Sequence, residues 1–563
     1  MRRAYERIKK ISLKESLPFL LIGLLVAVLE VLGEFLDVLQ AVNLGTPGYS
    51  LNLETVLILG AKGFGWWLLF SFLLFLGWRG GMKLYSGKPS NRHFFQNRFV
   101  VWLLILISWA PCFLAYFPGI YSYDGEPQLI QYTTGQFDNH HPIFHTLIIG
   151  WCYDLGQWLI AHGINIDGMA FYSLIQMSLL AFALASVIRY LARKRVGRAY
   201  LWIAFLFVCF FPAVPIMAIS TTKDTFFAAF FVLLVLALIE FLDTEENKKT
   251  LLIKCGANGL FCMLFRRNAC YVLSIFVLIG AFILMHTQRT KSEEGRRQIK
   301  SIVIVLAFSV LAFFGTEKIL MTSTHAIQGE AGEALSIPLM QMARAYKSNT
   351  AEVTEKYGDV LFSYVTEEGL NNYRPAISDG VKQRFNNQLF ARDKVSFFKL
   401  YFKMMKDYPG SYIQSLLYLT KGDWEIMDNS FTEVYKDWWR DRTGYLITDA
   451  TPVFAQRYVN KSNLLPKIRD MYENIVTVCS YRKITLLQIL FAPALYVLLI
   501  QFNGLALMME HEREKLFIWL IPGLYLLTVL AGPCVLVRYI FPFIMLIPLM
   551  GSMIFSHYVT NEV

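Results

Sequence analysis

The chain is short of charge, and it lacks the devices that staple a secreted or metal-bound fold. Only 17% of its 563 residues are charged, against 55% hydrophobic and 15% aromatic, and the mean hydropathy is +0.43. A soluble protein of this length needs more polar surface, so the composition indicates a polytopic, all-α membrane protein. Its eight cysteines lie mostly inside apolar runs, and the long polar segment 322–473 has none. That argues against a disulfide framework, and the absence of CxxC pairs argues against zinc sites. The apolar run 17–39 is long and lacks a small-residue cleavage site, so no cleavable signal peptide is expected. Internal repeats and low-complexity tracts are lacking too.

What is present is a series of apolar runs, each close to the ~20 residues a helix needs to cross hydrocarbon. The net charge of +11 is carried by short Lys/Arg clusters between these runs. That is the positive-inside signature of a membrane protein, and no nucleic-acid partner is expected. Threading on this bias puts both termini in the cytoplasm, with spans near 17–38, 55–78, 99–117, 168–190, 200–218, 225–242, 250–265, 269–286, 301–321, 485–502, 516–530 and 535–555. The expected total is about twelve. One apolar run is left out. If 143–160 crossed, the basic segment RYLARKRVGR (189–198) would face outward. The run is therefore expected to lie along the outer interface, with Trp151, Tyr153 and Trp158 at headgroup level. Three regions follow: an N-terminal membrane module, 1–321, with outer loops 118–167 and 219–224; a mainly helical extracytoplasmic domain, 322–482; and C-terminal membrane helices, 483–563.

Four polar motifs then fall on the outer face: YDGE…FDNHHP, TTKD, FRRN and GPCVLVRY. Ionisable groups next to hydrocarbon are costly, so their convergence points to a site. Asp124 is the first candidate, as a base or orienting group for an acceptor hydroxyl; the competing reading is a turn cap in SYDG. Glu126 is a weaker acid candidate that also suits the first turn of a helix at Pro127. Asp224 is the second acid, and TTKD also reads as an ordinary helix N-cap. Lys223, Arg266, Arg267 and Arg538 suit phosphate recognition, with lipid-headgroup anchoring or salt bridging as the alternative. In HHPxxH, His141 and His145 share a helical face with metal-ligand spacing. Pro142 disfavours helical geometry at His141, however, so His140, His141 and His145 are read as hydrogen-bonding or substrate-contacting groups. No metal ligand is assigned, and the cofactor question stays open. Trp424, Trp438 and Trp439 in the outer segment could bind glycans or seat it on the membrane.

These residues resemble the GT-C superfamily of polyprenol-dependent glycosyltransferases, which includes protein O-mannosyltransferases and the aminoarabinose transferases of lipid A. Asp124 matches the acid of the first large outer loop, 143–160 the surface helix after it, and Asp224 the second acidic motif. The chain also resembles a family of bacterial multi-pass proteins with YDxxxQ (Tyr123, Asp124, Gln128), HHPxxHT (His140–Thr146), TxKD (Thr221–Asp224), EALSIPxxQxAR (Glu333–Arg344) and RYxxP (Arg538–Pro542) motifs. The resemblance implies a GT-C-like bundle, inverting transfer from a polyprenyl-phosphate-linked sugar, and a cell-envelope glycan or lipid as acceptor. Glu333, Gln341 and Arg344 are expected as further contacts if the outer domain folds over the site. The rival classes are a flippase of lipid-linked sugars and a polysaccharide polymerase or ligase. A flippase should carry polar groups near the bilayer midplane, often with inverted repeats.

Overall fold

A computed structural model describes residues 13–43, 48–89, 93–122, 124–286, 293–427, 463–476 and 484–555. Trp438, Trp439, Tyr123 and the basic N-terminal segment 2–10 lie outside the described residues. Among those described, the chain is almost wholly α-helical, and β pairing is confined to isolated bridges between loops.

The first half runs through α1 (Leu13–Asn43), α2 (Leu53–Tyr85), α3 (Arg98–Ala115), α4 (Gly125–Thr134), α5 (Ile143–Ala161) and α6 (Gly168–Arg193). It continues through α7 (Arg198–Phe210), α8 (Ala213–Ile219), α9 (Lys223–Asp243), α10 (Lys248–Phe265), α11 (Asn268–His286) and α12 (Glu293–Ser323). Among the described residues, eight helices are long and apolar enough to cross a membrane, or up to ten if the bent pair α7–α8 and a second pair near the C-terminus each count as one span. The protein is therefore an all-α, multi-pass membrane protein. All twelve expected segments are helical. In α10 the three charges Lys248, Lys249 and Lys254, and in Arg513–Leu530 the first-turn charges Arg513, Glu514 and Lys515, leave a shorter apolar stretch than in the other helices. The α7–α8 pair bends by 47° at Phe211-Pro212, where proline supplies no N–H to continue the ladder.

Burial orders the bundle. The last helix, Val537–Phe555, is 94% buried over its apolar stretch, whereas α2 is only 11% buried. An apolar helix with most of its surface uncovered requires an apolar solvent, so α2 faces lipid and the last helix forms the centre.

The direction of α5 follows from its neighbours. His145, near its start, reaches Tyr172 in α6. Near its other end, Gly156 lies against Gly168, the first residue of α6. The first turns of α6 meet the loops that carry Asp124 and Asp224, through Ser173 Oγ to Pro118 O at 2.9 Å and Thr221 Oγ1 to Met169 Sδ at 3.0 Å. The far end of α6 meets the far end of α9, through Tyr190 to Asp243 at 2.6 Å. Helix α5 thus starts and finishes at one end of the bundle. Its seat depends on close backbone approach: a Cβ on Gly168 would stand 2.2 Å from the carbonyl oxygen of Cys152. Gly168→Val is expected to destabilise the detergent-solubilised protein by about 1–3 kcal/mol, because neither backbone can yield. A thermal melt equal to that of the unsubstituted chain would refute this.

The second half opens with α13 (Ser336–Ser348), α14 (Thr350–Tyr364), α15 (Lys394–Asp407) and α16 (Pro409–Thr420), with shorter helices between them. They enclose their own apolar core around Leu339, Met342, Leu361, Phe397 and Met404. Next come α17 (Pro466–Val476), the pair α18 (Thr485–Phe491) and α19 (Pro493–Met509) bent by 63°, α20 (Arg513–Leu530) and α21 (Val537–Phe555). Among the described residues of the expected domain 322–482, helix α17 packs on the membrane bundle, with Leu464, just before it, donating from its backbone N to Leu114 O at 3.3 Å.

A polar knot docks the α13–α16 unit on α1. Glu30 accepts from the backbone N–H groups of Ile426 at 2.7 Å and Met427 at 3.2 Å. Lys421 pairs with Asp37 and with Glu425, the latter at 3.1 Å. Burial pushes the Glu425 carboxyl up from 4.5 to about 8; Lys421 opposes the rise, and Asp37 and Glu30 add to it. A carboxyl raised in the fold binds its proton more tightly there than in the unfolded chain, so its contribution is lost as pH rises. Docking should weaken between about pH 4.5 and 8, by at most about 1.4 kcal/mol per unit. Glu425→Gln should flatten the pH dependence of limited proteolysis across the α16–Trp424 segment.

Candidate functional site: a paired-acid cluster at one end of the bundle

Two loops distant in sequence are tied together by backbone hydrogen bonds. Ile120 N donates to Ile219 O at 3.0 Å, and Thr221 N donates back to Ile120 O at 2.9 Å. Ser122 Oγ adds a bond to Thr221 O. This clamp lies just upstream of both Asp124 and Asp224 and sets the separation of their side chains. Asp124 then opens α4, and Asp224 lies in the first turn of α9, which is capped by Thr222.

The cations close over the acids. Asp124 Oδ2 accepts from Lys223 Nζ and from Arg538 Nη1, both at 2.8 Å. Arg538 Nη1 is also 3.7 Å from Asp224 Oδ2, so one guanidinium spans both carboxylates. Asp224, whose side chain is 1% exposed, is held by Arg266 Nη1 at 2.5 Å. The Arg266 guanidinium lies 5.0 Å from the Tyr539 ring and 5.5 Å from the Tyr525 ring. Cation–π contact of this kind offsets part of the cost of burying the charge. Burial pushes the Asp124 carboxyl up, but the charges of Arg538 and then Lys223 outweigh it and hold it well below the usual carboxylate range. Asp124 is therefore ionised and, while so paired, a poor proton acceptor.

The three histidines go to separate places. His141 lies against Lys223, with its Nδ1 accepting from Nζ at 3.2 Å. Burial, then Lys223, hold its imidazole neutral, well below the ordinary range. The His145 imidazole is pushed down to about 3, first by burial. It bridges Gln128 Oε1 at 2.6 Å and the Tyr172 hydroxyl at 2.7 Å. Gln128 donates onward to Asp124 O at 2.8 Å, and Tyr172 contacts Gln176 Oε1 at 2.9 Å. His145 thus braces the Asp124 turn from behind without touching either carboxylate. The His140 ring is exposed and lies edge-on to His141. Among the described residues, no group of three or more His, Cys, Asp and Glu is placed to hold a metal ion.

Other expected site residues separate from the cluster. Glu126, in the first turn of α4, makes no hydrogen bond or ion pair among the described residues and does not join the cluster around Asp124 and Asp224. Arg267 points away from Asp224, to Glu317 at 2.9 Å and Asn139 O at 3.1 Å, and ties the turn between α10 and α11 to α12. Glu333 pairs with Lys382 at 2.7 Å. Gln341 donates to Tyr412 O at 3.1 Å, and Arg344 contacts Gln40 and Gln414, both at 3.0 Å. Those three serve the α13–α16 unit and its docking on α1 instead of contacting the acids. Tyr172, Gln176, Tyr525 and Tyr539 were missed from sequence. Their only signal was a polar atom within an apolar helix.

A model of the family described as "Family of unknown function (DUF6020)" matches residues 129–562. No curated protein and no solved structure matches the chain.

Proposed function

The chain belongs to the DUF6020 family, and from the chemistry of its acid–cation cluster we propose that it is a membrane glycosyltransferase. It moves a sugar from a polyprenyl-phosphate donor to a cell-envelope glycan or lipid outside the cytoplasm. The observation that carries this reading is the Arg538 guanidinium shared by two carboxylates, 2.8 Å from Asp124 and 3.7 Å from Asp224. The bundle is read as GT-C-like, with α5 along the outer membrane surface. The Lys/Arg bias of the loops puts the cluster on the extracytoplasmic side and both termini in the cytoplasm.

The geometry suggests an exchange of partners. Without donor, Lys223 and Arg538 neutralise Asp124. A donor phosphate competes for those cations, and Arg favours phosphate through paired N–H donors. Its arrival releases the Asp124 carboxylate and returns its basicity toward the ordinary range. The freed carboxylate then accepts a hydrogen bond from the acceptor hydroxyl. The hydroxyl oxygen attacks the anomeric carbon, the bond from that carbon to the phosphate oxygen breaks, and the leaving phosphate takes the electron pair. The hydroxyl proton passes to Asp124. Charge grows on the leaving phosphate, where Arg538 and Lys223 stabilise it most in the transition state. Asp224 holds Arg266 and Arg538 in place throughout.

The rival is movement of the lipid-linked sugar without chemistry. Detergent micelles separate the two, because they have no sides. The purified chain, given a synthetic polyprenyl-phosphate sugar and an envelope glycan fraction, should release polyprenyl phosphate in stoichiometric balance with sugar transferred. Intact donor after prolonged incubation with each acceptor fraction, alongside donor movement in proteoliposomes, would replace this reading with transport.

A further inference from the structure

The opposite end of the bundle holds a cavity of about 740 Å³ between the start of α3, the end of α6, the end of α9 and the start of α10. It is remote from the acid cluster: Glu240 on its wall is 17 residues along α9 from Lys223, about 25 Å at the helical rise. Arg98, Arg189, Arg193 and Lys254 line it, and none forms an ion pair with a carboxylate among the described residues. A third lining carboxylate, Asp243, is already engaged by Lys194 at 2.7 Å and by the Tyr190 hydroxyl at 2.6 Å. That leaves Glu240 and Glu246 to face four cations.

Arg98 adds an independent sign. Its Nε is buried without a hydrogen-bond partner among the described residues, while its guanidinium stacks 4.2 Å from the Phe182 ring. An oriented guanidinium with an unused buried donor is costly unless an acceptor arrives. The cavity also has an apolar floor in Leu233, Leu236 and Ala237. A cationic mouth over an apolar floor, between helices that cross a membrane, matches the headgroup and upper chain of a phosphorylated amphiphile.

We propose that this cavity is a phosphate-binding site, distinct from the acid cluster and filled by the phosphate group of an anionic lipid or of a soluble phosphate ion. The site does not depend on the glycosyltransferase reading. The full chain, purified in detergent, is titrated with dioleoylphosphatidylglycerol, dioleoylphosphatidylcholine or inorganic phosphate and followed by native mass spectrometry and thermal unfolding. Phosphatidylglycerol should be retained in preference to phosphatidylcholine and should raise the melting temperature. The doubly substituted R189Q/R193Q chain should bind it about tenfold to thirtyfold more weakly, as expected for the loss of two cations near a headgroup. Stabilisation by phosphatidylglycerol alone identifies a lipid headgroup. Equal, arginine-dependent stabilisation by inorganic phosphate identifies a soluble phosphate ion. If the double variant does not accumulate, K254Q, at an exposed position of the same wall, takes its place. Equal retention of the two lipids with no response to inorganic phosphate, or binding unchanged by these substitutions, overturns the proposal.

Discussion

Asp124→Asn is expected to lower sugar transfer by about 10²- to 10⁴-fold, the range over which a positioned proton-transfer group acts, and at the same time to tighten donor binding. The two effects have opposite signs because Asp124 has two partners in turn. In the closed site its carboxylate occupies Lys223 and Arg538, both at 2.8 Å. A neutral amide no longer competes with a donor phosphate for those cations, so donor affinity rises. The same amide cannot take the proton of the acceptor hydroxyl, so turnover falls. Single-turnover release of polyprenyl phosphate, measured across donor concentration, separates the two. A variant whose donor affinity and turnover fall together would show that Asp124 only holds the fold. Asp124→Glu tests for rescue, because a carboxylate one methylene longer restores the charge and the proton acceptor.

Asp224→Ala is expected to cost about 3–5 kcal/mol of stability, the usual cost of leaving a buried ion without its partner. The Asp224 side chain is 1% exposed, and it faces Arg266 at 2.5 Å and Arg538 at 3.7 Å. Removing it leaves two guanidinium groups against a single remaining carboxylate in a site closed by Tyr525 and Tyr539. The double variant D224A/R266Q removes one charge of each sign and should recover part of the loss, so the two changes should not be additive. Thermal unfolding in detergent measures each corner of that cycle. If D224A melts with the unsubstituted chain, the buried pair carries no structural weight.

Much of the membrane architecture was legible in the sequence. Every expected span is a helix, because apolar runs of that length have no other way to satisfy their backbone in lipid. The detail was less legible: charges at the starts of α10 and Arg513–Leu530 shorten their apolar stretches, and proline bends divide α7–α8 and α18–α19. The site was legible in part. Asp124, Asp224, Lys223, Arg266 and Arg538 converge, whereas Glu126, Arg267, Glu333, Gln341 and Arg344 do not join the acids. Short motifs report residue type and local turn, and those signals are identical for an acid that meets a guanidinium and one that meets water. Arg189, Arg193 and Lys194 of the opposite cavity were read only as part of a basic inner-face segment, since charge bias carries no information about which residues share a wall.

Composition and periodicity by themselves determined that this is a helical membrane protein and which segments carry its apolar stretches, because hydrocarbon imposes that pattern residue by residue. Tertiary structure decided how the two acids are used. The Ile120–Ile219–Thr221 backbone clamp brings together loops about a hundred residues apart, and only there does Arg538, from the last helix, span both carboxylates. Ion pairing falls off over a few ångströms, so the chemistry of Asp124 is set by neighbours that its own stretch of sequence does not contain.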